Sequence, residues 1–406
     1  MKLRFHLLLS RGAAVLAVGA TVALAACSSS PATSGPGHTA PGSAGASGAP
    51  VTVLAVTTPL TAGDAQNGLK MAQAYINATG GIKGRPLSII ICSDNGDPNT
   101  AATCVRNGIS QGAVAEINRT SPYGASMDPL EQAAGLAVLG GGLFSQADFT
   151  APTLFPLQPG FFNTIGSALL AVKVLGAKTI GYPHADDPAA NALTATLQGA
   201  LTPLGASVVG SVPIAPTAGD ITPQVSAEVR AKPDVVVDGL TEDAYVKLIQ
   251  GMQQQGSTAK FMIDSGIMDA SRITQYLGAG ATNIYQVAED NYQSPGYRQF
   301  VAACKKYCPD PSDMTGHVIW AWEAAILLRT VADKAPTIDP KAIAAAAAQV
   351  TNFTIGGIIP PVNFTKPGTA LGGKVPRLFN DTLWLYRFDN GQLVPVGNEQ
   401  GVKTLG

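Results

Sequence analysis

Five cysteines carry the most definite chemistry in this chain. Cys27 closes the tetrad Leu24-Ala25-Ala26-Cys27, which follows a basic start and an apolar run from Gly12 to Leu24 and precedes Ser28-Ser29-Ser30. Basic start, apolar run and small residues, in that order, make a secretory leader. The run is shorter than the ~20 residues a bilayer-spanning helix needs. The tetrad has the form of a bacterial lipobox, so cleavage would leave Cys27 N-terminal for lipidation. Two acyl chains there suffice for stable anchoring. The alternative is an ordinary small-residue cleavage site with an incidental cysteine. Export permits disulfides, and the four remaining cysteines allow three pairings. The two local pairs are expected. Cys92–Cys104 joins a strand end to the helix after it, and Cys304–Cys308 spans four positions near a helix end. Two such short spacings, far apart in the chain, do not match common zinc frameworks.

Other catalytic chemistry is not signalled. The chain has no Gly-x-Ser-x-Gly elbow, His-Glu-x-x-His pair or phosphate-binding Walker loop. Gly140-Gly141-Gly142 follows a strand-like run but lacks the spacing and the downstream acid of a dinucleotide site. No enzyme activity and no cofactor are expected. Of four histidines, His6 and His38 precede the folded region, leaving His184 and His317 as the only imidazoles for a metal site. None is expected. With Lys2, Arg4 and Arg11 of the leader removed, the formal charge of −1 becomes −4. No basic patch stands out, which argues against nucleic acid.

These residues need a scaffold. The 406 residues are 46% hydrophobic and 13% charged, enough apolar matter for a sizeable core. Residues 28–50 are Ser, Gly, Ala, Pro and Thr apart from His38, the composition of a flexible tether. From Val51 onward, short apolar runs alternate with amphipathic stretches of helical period. Strands are expected at 51–56, 87–91, 114–117 and 137–139, with helices at 65–77, 100–109 and 127–134 between them. The rhythm resumes after residue 160. Helices are expected at 162–175, 189–204, 223–231, 244–254 and 270–277, interleaved with strands at 179–182, 207–212, 234–238, 260–263 and 284–287. Three more helices fall near 297–307, 314–333 and 340–350. Two consecutive βαβ sets of domain size imply an α/β protein with two doubly wound parallel-sheet lobes.

Between Leu54 and Asn95 the chain contains Pro59-Leu60-Thr61, Tyr75-Ile76-Asn77, Gly80-Gly81-Ile82-Lys83-Gly84-Arg85-Pro86-Leu87 and Ser93-Asp94-Asn95. This ordered set resembles the opening of the branched-chain amino-acid-binding family, the type I periplasmic binding proteins. Pro295 to Phe300 and Trp320 to Leu328 are similar to further family segments. The resemblance implies two lobes joined by three crossings, near 157–160, 288–292 and 350–362, that close on a solute by hinge bending. It implies a leader at 1–26, lipidated Cys27 and tether at 27–50, a first lobe of 51–158 plus 291–355, and a second lobe of 159–290 plus 356–406. The implied function is that of an extracytoplasmic, lipid-anchored monomer. It captures a small polar solute, an amino acid or a related amide or carboxylate, and delivers it to the permease of an ABC importer. A receptor that signals its closed state to a membrane partner is the alternative.

In such a fold the carboxyl ends of the strands and the N-termini of the following helices face the cleft. The resemblance places a solute carboxylate against two strand-end loops, 118–123 and 140–145. Thr120, Ser121 and Ser145 are the candidate hydroxyls, each of which could equally cap a helix. Gly142 is a candidate backbone contact, and Tyr123 and Phe144 are candidate stacking rings. From the second lobe, His184 lies in a loop expected to be exposed. Glu242 and Asp264 are candidate ammonium partners, and Tyr292 follows the second crossing. The loop Pro183-His184-Ala185-Asp186 lacks the aromatic-Gly pair common in the family, which argues against an ordinary aliphatic amino acid.

Overall fold

A computed structural model describes residues 46–186, 188–215, 218–397 and 400–405. The expected leader, Cys27 and most of the tether lie outside the described residues. The first sheet consists of β1 (Val51–Thr57), β2 (Leu87–Ser93), β3 (Ala115–Ile117), β4 (Ala137–Leu139) and β5 (Leu154–Phe155). Its order is β2-β1-β3-β4-β5, with every neighbouring pair parallel. Helices α1 (Ala62–Ala78), α2 (Pro98–Ser110) and α3 (Gly124–Ala134) connect the strands. The direction of winding reverses between β1 and β3, and such a reversal opens a crevice at the carboxyl ends of the strands.

The second lobe begins at α4 (Phe162–Leu175) and continues through β6 (Thr179–Gly181), β7 (His184–Ala185), α5 (Pro188–Leu201), β8 (Ser207–Gly210), β9 (Pro213–Ile214), α6 (Thr222–Ala231), β10 (Val235–Val237), α7 (Glu242–Gln254), β11 (Lys260–Asp264), α8 (Ala270–Leu277) and β12 (Ile284–Ala288). Its parallel part has the order β8-β6-β10-β11-β12, the same winding as the first sheet. The strands are apolar on both faces because helices cover both. Val235, Val236 and Val237 are each fully buried.

The chain then returns to the first lobe as α9 (Pro295–Tyr307), α10 (Gly316–Lys334) and α11 (Pro340–Ala347). Helix α10 packs into the first lobe's core, and most of its residues are buried. It meets α1 so closely that a Cβ on Gly68 would stand 2.7 Å from Val318 Cα. Val53, Leu69, Ile117, Trp322 and Leu327 share one core with Ile355, Ile358, Val362 and Phe364. A second core gathers Leu170, Ile180, Val237 and Met262 with Ala370, Val375, Leu378 and Leu383. The C-terminal strands β13 (Thr382–Asp389), β14 (Gln392–Val396) and β15 (Val402–Lys403) add an antiparallel edge beside β12. Both expected disulfides, Cys92–Cys104 and Cys304–Cys308, are formed.

Candidate functional site

In the first lobe, β1 and β3 end beside the crevice. Thr120 donates its N–H to Val56 O at 3.2 Å, and its Oγ1 lies 2.9 Å from that of Thr61, just before α1. Ser121 is fully buried and its Oγ accepts from Tyr123 N–H at 3.4 Å. Tyr123 packs its ring among Val56, Val105 and Met127 and donates its hydroxyl to Gly96 O at 2.6 Å. The hydroxyl thereby ties this loop to the one after β2.

After β4, Gly140 and Gly141 take positive φ of 71° and 67°, where a side chain would be strained. The turn lets Gly141 O accept from both Leu157 and Gln158 N–H, at 3.1 and 3.0 Å. Gly142 lies against Gly160, where the chain leaves the first lobe. Phe144 and Ser145 both donate N–H to Asp148 Oδ2 at 2.8 Å, and Ser145 Oγ donates to Asp148 Oδ1 at 2.7 Å. The Ser145 hydroxyl thus serves its own loop.

Beneath both loops lies Arg119, which composition and spacing did not single out. It is 1% exposed and pairs with Glu116 at 3.2 Å, Asp128 at 2.6 Å, Glu131, and Asp148 at 3.6 Å. Burying a guanidinium costs several kcal/mol unless it is paired and hydrogen-bonded. Here one cation serves four carboxylates, so acid is in excess. Burial pushes Asp128 up to about 6 against the pull of Arg119, and pushes Glu131 up with further help from Glu116. The signal for this cluster was Asp128 and Glu131, three apart on the inward face of α3.

The second lobe corrects one expectation. His184 is 2% exposed, not the exposed loop residue expected. The reason is β7, which pairs with β9 on one side and bridges Gly239, just beyond β10, on the other. The ring stacks on Tyr182 at 4.8 Å. Its Nδ1 faces Ala185 O at 2.9 Å and its Nε2 faces Ser211 Oγ at 3.2 Å. Glu242, at the start of α7, is engaged by Arg272 at 3.0 Å. Asp264, at the end of β11, accepts from Gly266 N–H at 2.6 Å and from the Asn163 amide. Burial pushes its carboxyl above the ordinary range, opposed by those two hydrogen bonds. Tyr292 lies between Tyr297 and Tyr386, with centroids 4.5 and 4.7 Å away. Its backbone N–H donates to Tyr386 Oη at 2.8 Å.

The carboxyl edges of the two sheets face one another, and polar contacts cross between them. Arg272 of α8 grips Asp64 of α1 with two bonds, 2.7 Å from Nη2 and 3.1 Å from Nη1. Within the first lobe, Thr315 Oγ1 donates to the same carboxylate at 3.2 Å and holds it in place. Gly316 N–H donates to Ser265 O at 2.8 Å. Behind them stands a wall of buried acids at the crossings. Gln158 donates to Glu323 at 2.6 Å, and Ser265 donates to Glu289 at 2.7 Å. Burial pushes Glu323 up to about 8. Burial also raises Asp290, with Glu323 adding to the shift, and raises Glu289, with Asp264 adding. His317 meets Trp320 edge-on at 4.6 Å, and burial drops it to about 4. Burial thus disfavours the charged forms of these groups. The wall's hydrogen bonds tie the crossings to both lobes. Among the described residues, no group of three or more His, Cys, Asp or Glu side chains is placed to hold a metal ion. A cavity of about 740 Å³ at Lys178, Lys232 and Lys260 lies at the opposite ends of the second-lobe strands, away from this arrangement.

Comparison with known proteins agrees with this geometry. Residues 53–389 match the family model described as periplasmic binding protein. A leucine-binding protein of Thermotoga maritima superposes with TM-score 0.65 at 17% identity, covering 86% of this chain and 98% of the other. An ABC transporter solute-binding protein of R. palustris, solved with 4-hydroxybenzoate, gives 0.70 at 16%, covering 88% and 98%. A fatty acid ABC transporter substrate-binding protein of Thermomonospora curvata gives 0.69 at 14%, covering 87% and 92%. No curated protein matches the chain in sequence. These neighbours are similar in fold and differ in what they bind, so the branched-chain amino-acid assignment narrows to the broader family. The family and its neighbours are solute-binding proteins, not enzymes, and act outside the cytoplasm. With its two facing α/β lobes and its match over most of the length, the chain belongs to the periplasmic binding protein family, in the type I fold.

Proposed function

We propose that this protein captures a small polar solute between its lobes and delivers it to an ABC importer, as a lipoprotein anchored through Cys27. The observation that carries the reading is the set of hydrogen bonds and ion pairs joining the carboxyl edges of the two sheets, led by the two hydrogen bonds from Arg272 to Asp64. A clamshell needs two prefolded faces that meet, and a solute with affinity for both shifts the population toward closure. The lobes are taken as 51–158 with 291–364, and 159–290 with 370–406, which moves 356–364 from the expected second lobe to the first. Core membership favours a third crossing between Phe364 and Ala370. The solute contacts are proposed at Thr120, Ser121, Gly142 and Phe144 of the first lobe, and at Asp264 and the Tyr292 side of the hinge. Thermal-shift screening across amino acids, amides, small acids, sugars and nucleosides tests this, with a rise in Tm expected for one class. A flat response to the whole panel sinks the proposal. Cys27→Ala is expected to release the protein into the medium, and continued membrane retention would refute lipid anchoring at that residue.

A further inference from the structure

We propose that Asp290 and Glu323 hold one proton between them at the hinge, so that closure of the lobes is coupled to proton uptake. The device acts on closure itself and does not depend on which solute is bound.

Three separate segments meet at this point. Gln158 lies in the first crossing, Asp290 in the second, and Glu323 on α10 of the first lobe. Gln158 Nε2 donates to Glu323 Oε2 at 2.6 Å. The Asp290 carboxyl lies within hydrogen-bond reach of Glu323, with Gln158 and Trp320 beside it. Both acids are fully buried. Among the described residues no lysine, arginine or histidine pairs with either. Neither oxygen of Asp290, nor Glu323 Oε1, is reached by a well-aligned donor, and the nearby Trp320 Nε1 is itself unpartnered. Two carboxylates in contact inside a protein cannot both stay ionised, whereas a carboxyl and a carboxylate share a hydrogen bond. The missing donor is the acids' own proton.

The other ionisable neighbours supply no counter-charge. Glu289 precedes Asp290 and accepts from Ser265 Oγ at 2.7 Å. Asp264 at the end of β11 acts on Glu289 as a like charge. Tyr292, Tyr297 of α9 and Tyr386 of β13 stand near Asp290 with phenols that burial raises further, so they remain neutral. His317 meets Trp320 edge-on, and burial drops it to about 4, which leaves it uncharged above that pH. Burial is also the first cause that raises the two acids, Glu323 to about 8.

Hinge bending turns the second crossing against α10, which parts the two carboxyls and lets water reach them. The closed form then holds the proton more tightly than the open one. Closure is favoured at low pH, and the advantage is lost as pH rises from the ordinary carboxylate range to about 8. One linked proton changes the closed-to-open ratio by at most about tenfold per pH unit in that window.

The test is small-angle scattering of the solute-free protein from about pH 5 to about pH 9. In the wild type the radius of gyration is expected to grow with pH. Asp290→Asn, whose amide can donate to the Glu323 carboxylate at every pH, is expected to keep its low-pH curve throughout. Glu323→Gln is expected to do the same, and stands in should the first variant not fold. Infrared difference spectra between wild type and either variant read the proton directly, as a protonated-carboxyl C=O band at about pH 7 that moves in D2O. A wild-type scattering curve unchanged over the range, or variants that expand as the wild type does, overturns the coupling to closure. Absence of the band overturns the shared proton. A flat response to the solute screen touches neither result, since no solute is present in these measurements.

Discussion

Glu228 on α6 offers a clean measurement of what a buried, unpaired acid costs this fold. The residue is fully buried, and neither carboxylate oxygen has a hydrogen-bond partner. It lies over Gly181 and Gly210, where a Cβ on either glycine would collide with it. Burial alone pushes its pKa from 4.5 to about 7. The folded state therefore holds the proton more tightly than the unfolded chain. Between pH 4.5 and 7 the folded form carries more protons, so stability falls as pH rises through that window and the loss is complete above it. A shift of about 2.5 units corresponds to roughly 3 kcal/mol. Glu228→Gln keeps the shape and removes the titration. Urea unfolding at pH 5 should give similar stabilities for the two proteins, and at pH 8 the variant should be ahead by about 2–3 kcal/mol. In heat the same gap amounts to roughly 5–10 °C in Tm. Parallel pH profiles for wild type and variant would refute the argument, because they would mean that Glu228 is solvated or paired in the folded state.

Two further outcomes follow from the ion pairs. Asp64→Asn removes the charge that Arg272 grips across the lobes. A partly buried two-bond pair is worth about 1–2 kcal/mol, so closure should weaken roughly 5- to 30-fold, and small-angle scattering of the solute-free protein should show a larger radius of gyration. An unchanged scattering curve at low and at high salt would remove the pair from any role in closure. Arg119→Met leaves Glu116, Asp128, Glu131 and Asp148 facing one another without a cation. The expected loss is about 3–5 kcal/mol at neutral pH, read by chemical denaturation. A loss below about 1 kcal/mol would mean the four acids find other compensation.

The βαβ architecture was legible because strands buried on both faces read as apolar runs and helices as 3.6-period stretches. The helices at 162–175 and 270–277 have the bounds their periodicity predicts. The edge hairpin β13–β14 was not assigned, although Asn390-Gly391 between its strands, with φ of 48° and 79°, is a strong hairpin turn signal. Two-residue strands such as β7 carry no periodicity, which is why His184 was expected to be exposed. The disulfides were readable from local spacing. The Arg272–Asp64 pair was not, since its members are 208 positions apart. The bonds from residues 144–145 to Asp148 depend on backbone direction that residue types do not encode.

The packing of α10 on α1 also bears on how the chain matures. Val53, Leu69 and Ile117, made early, share their core with Trp322 and Leu327, made late. A chain emerging from its N-terminus must keep that apolar surface wet, or lent to a chaperone, until more than three quarters of it has appeared. A truncation or proteolytic nick before Gly316 would cost the first lobe its lid as well as whatever the lost segment does itself, making premature ends self-marking for degradation.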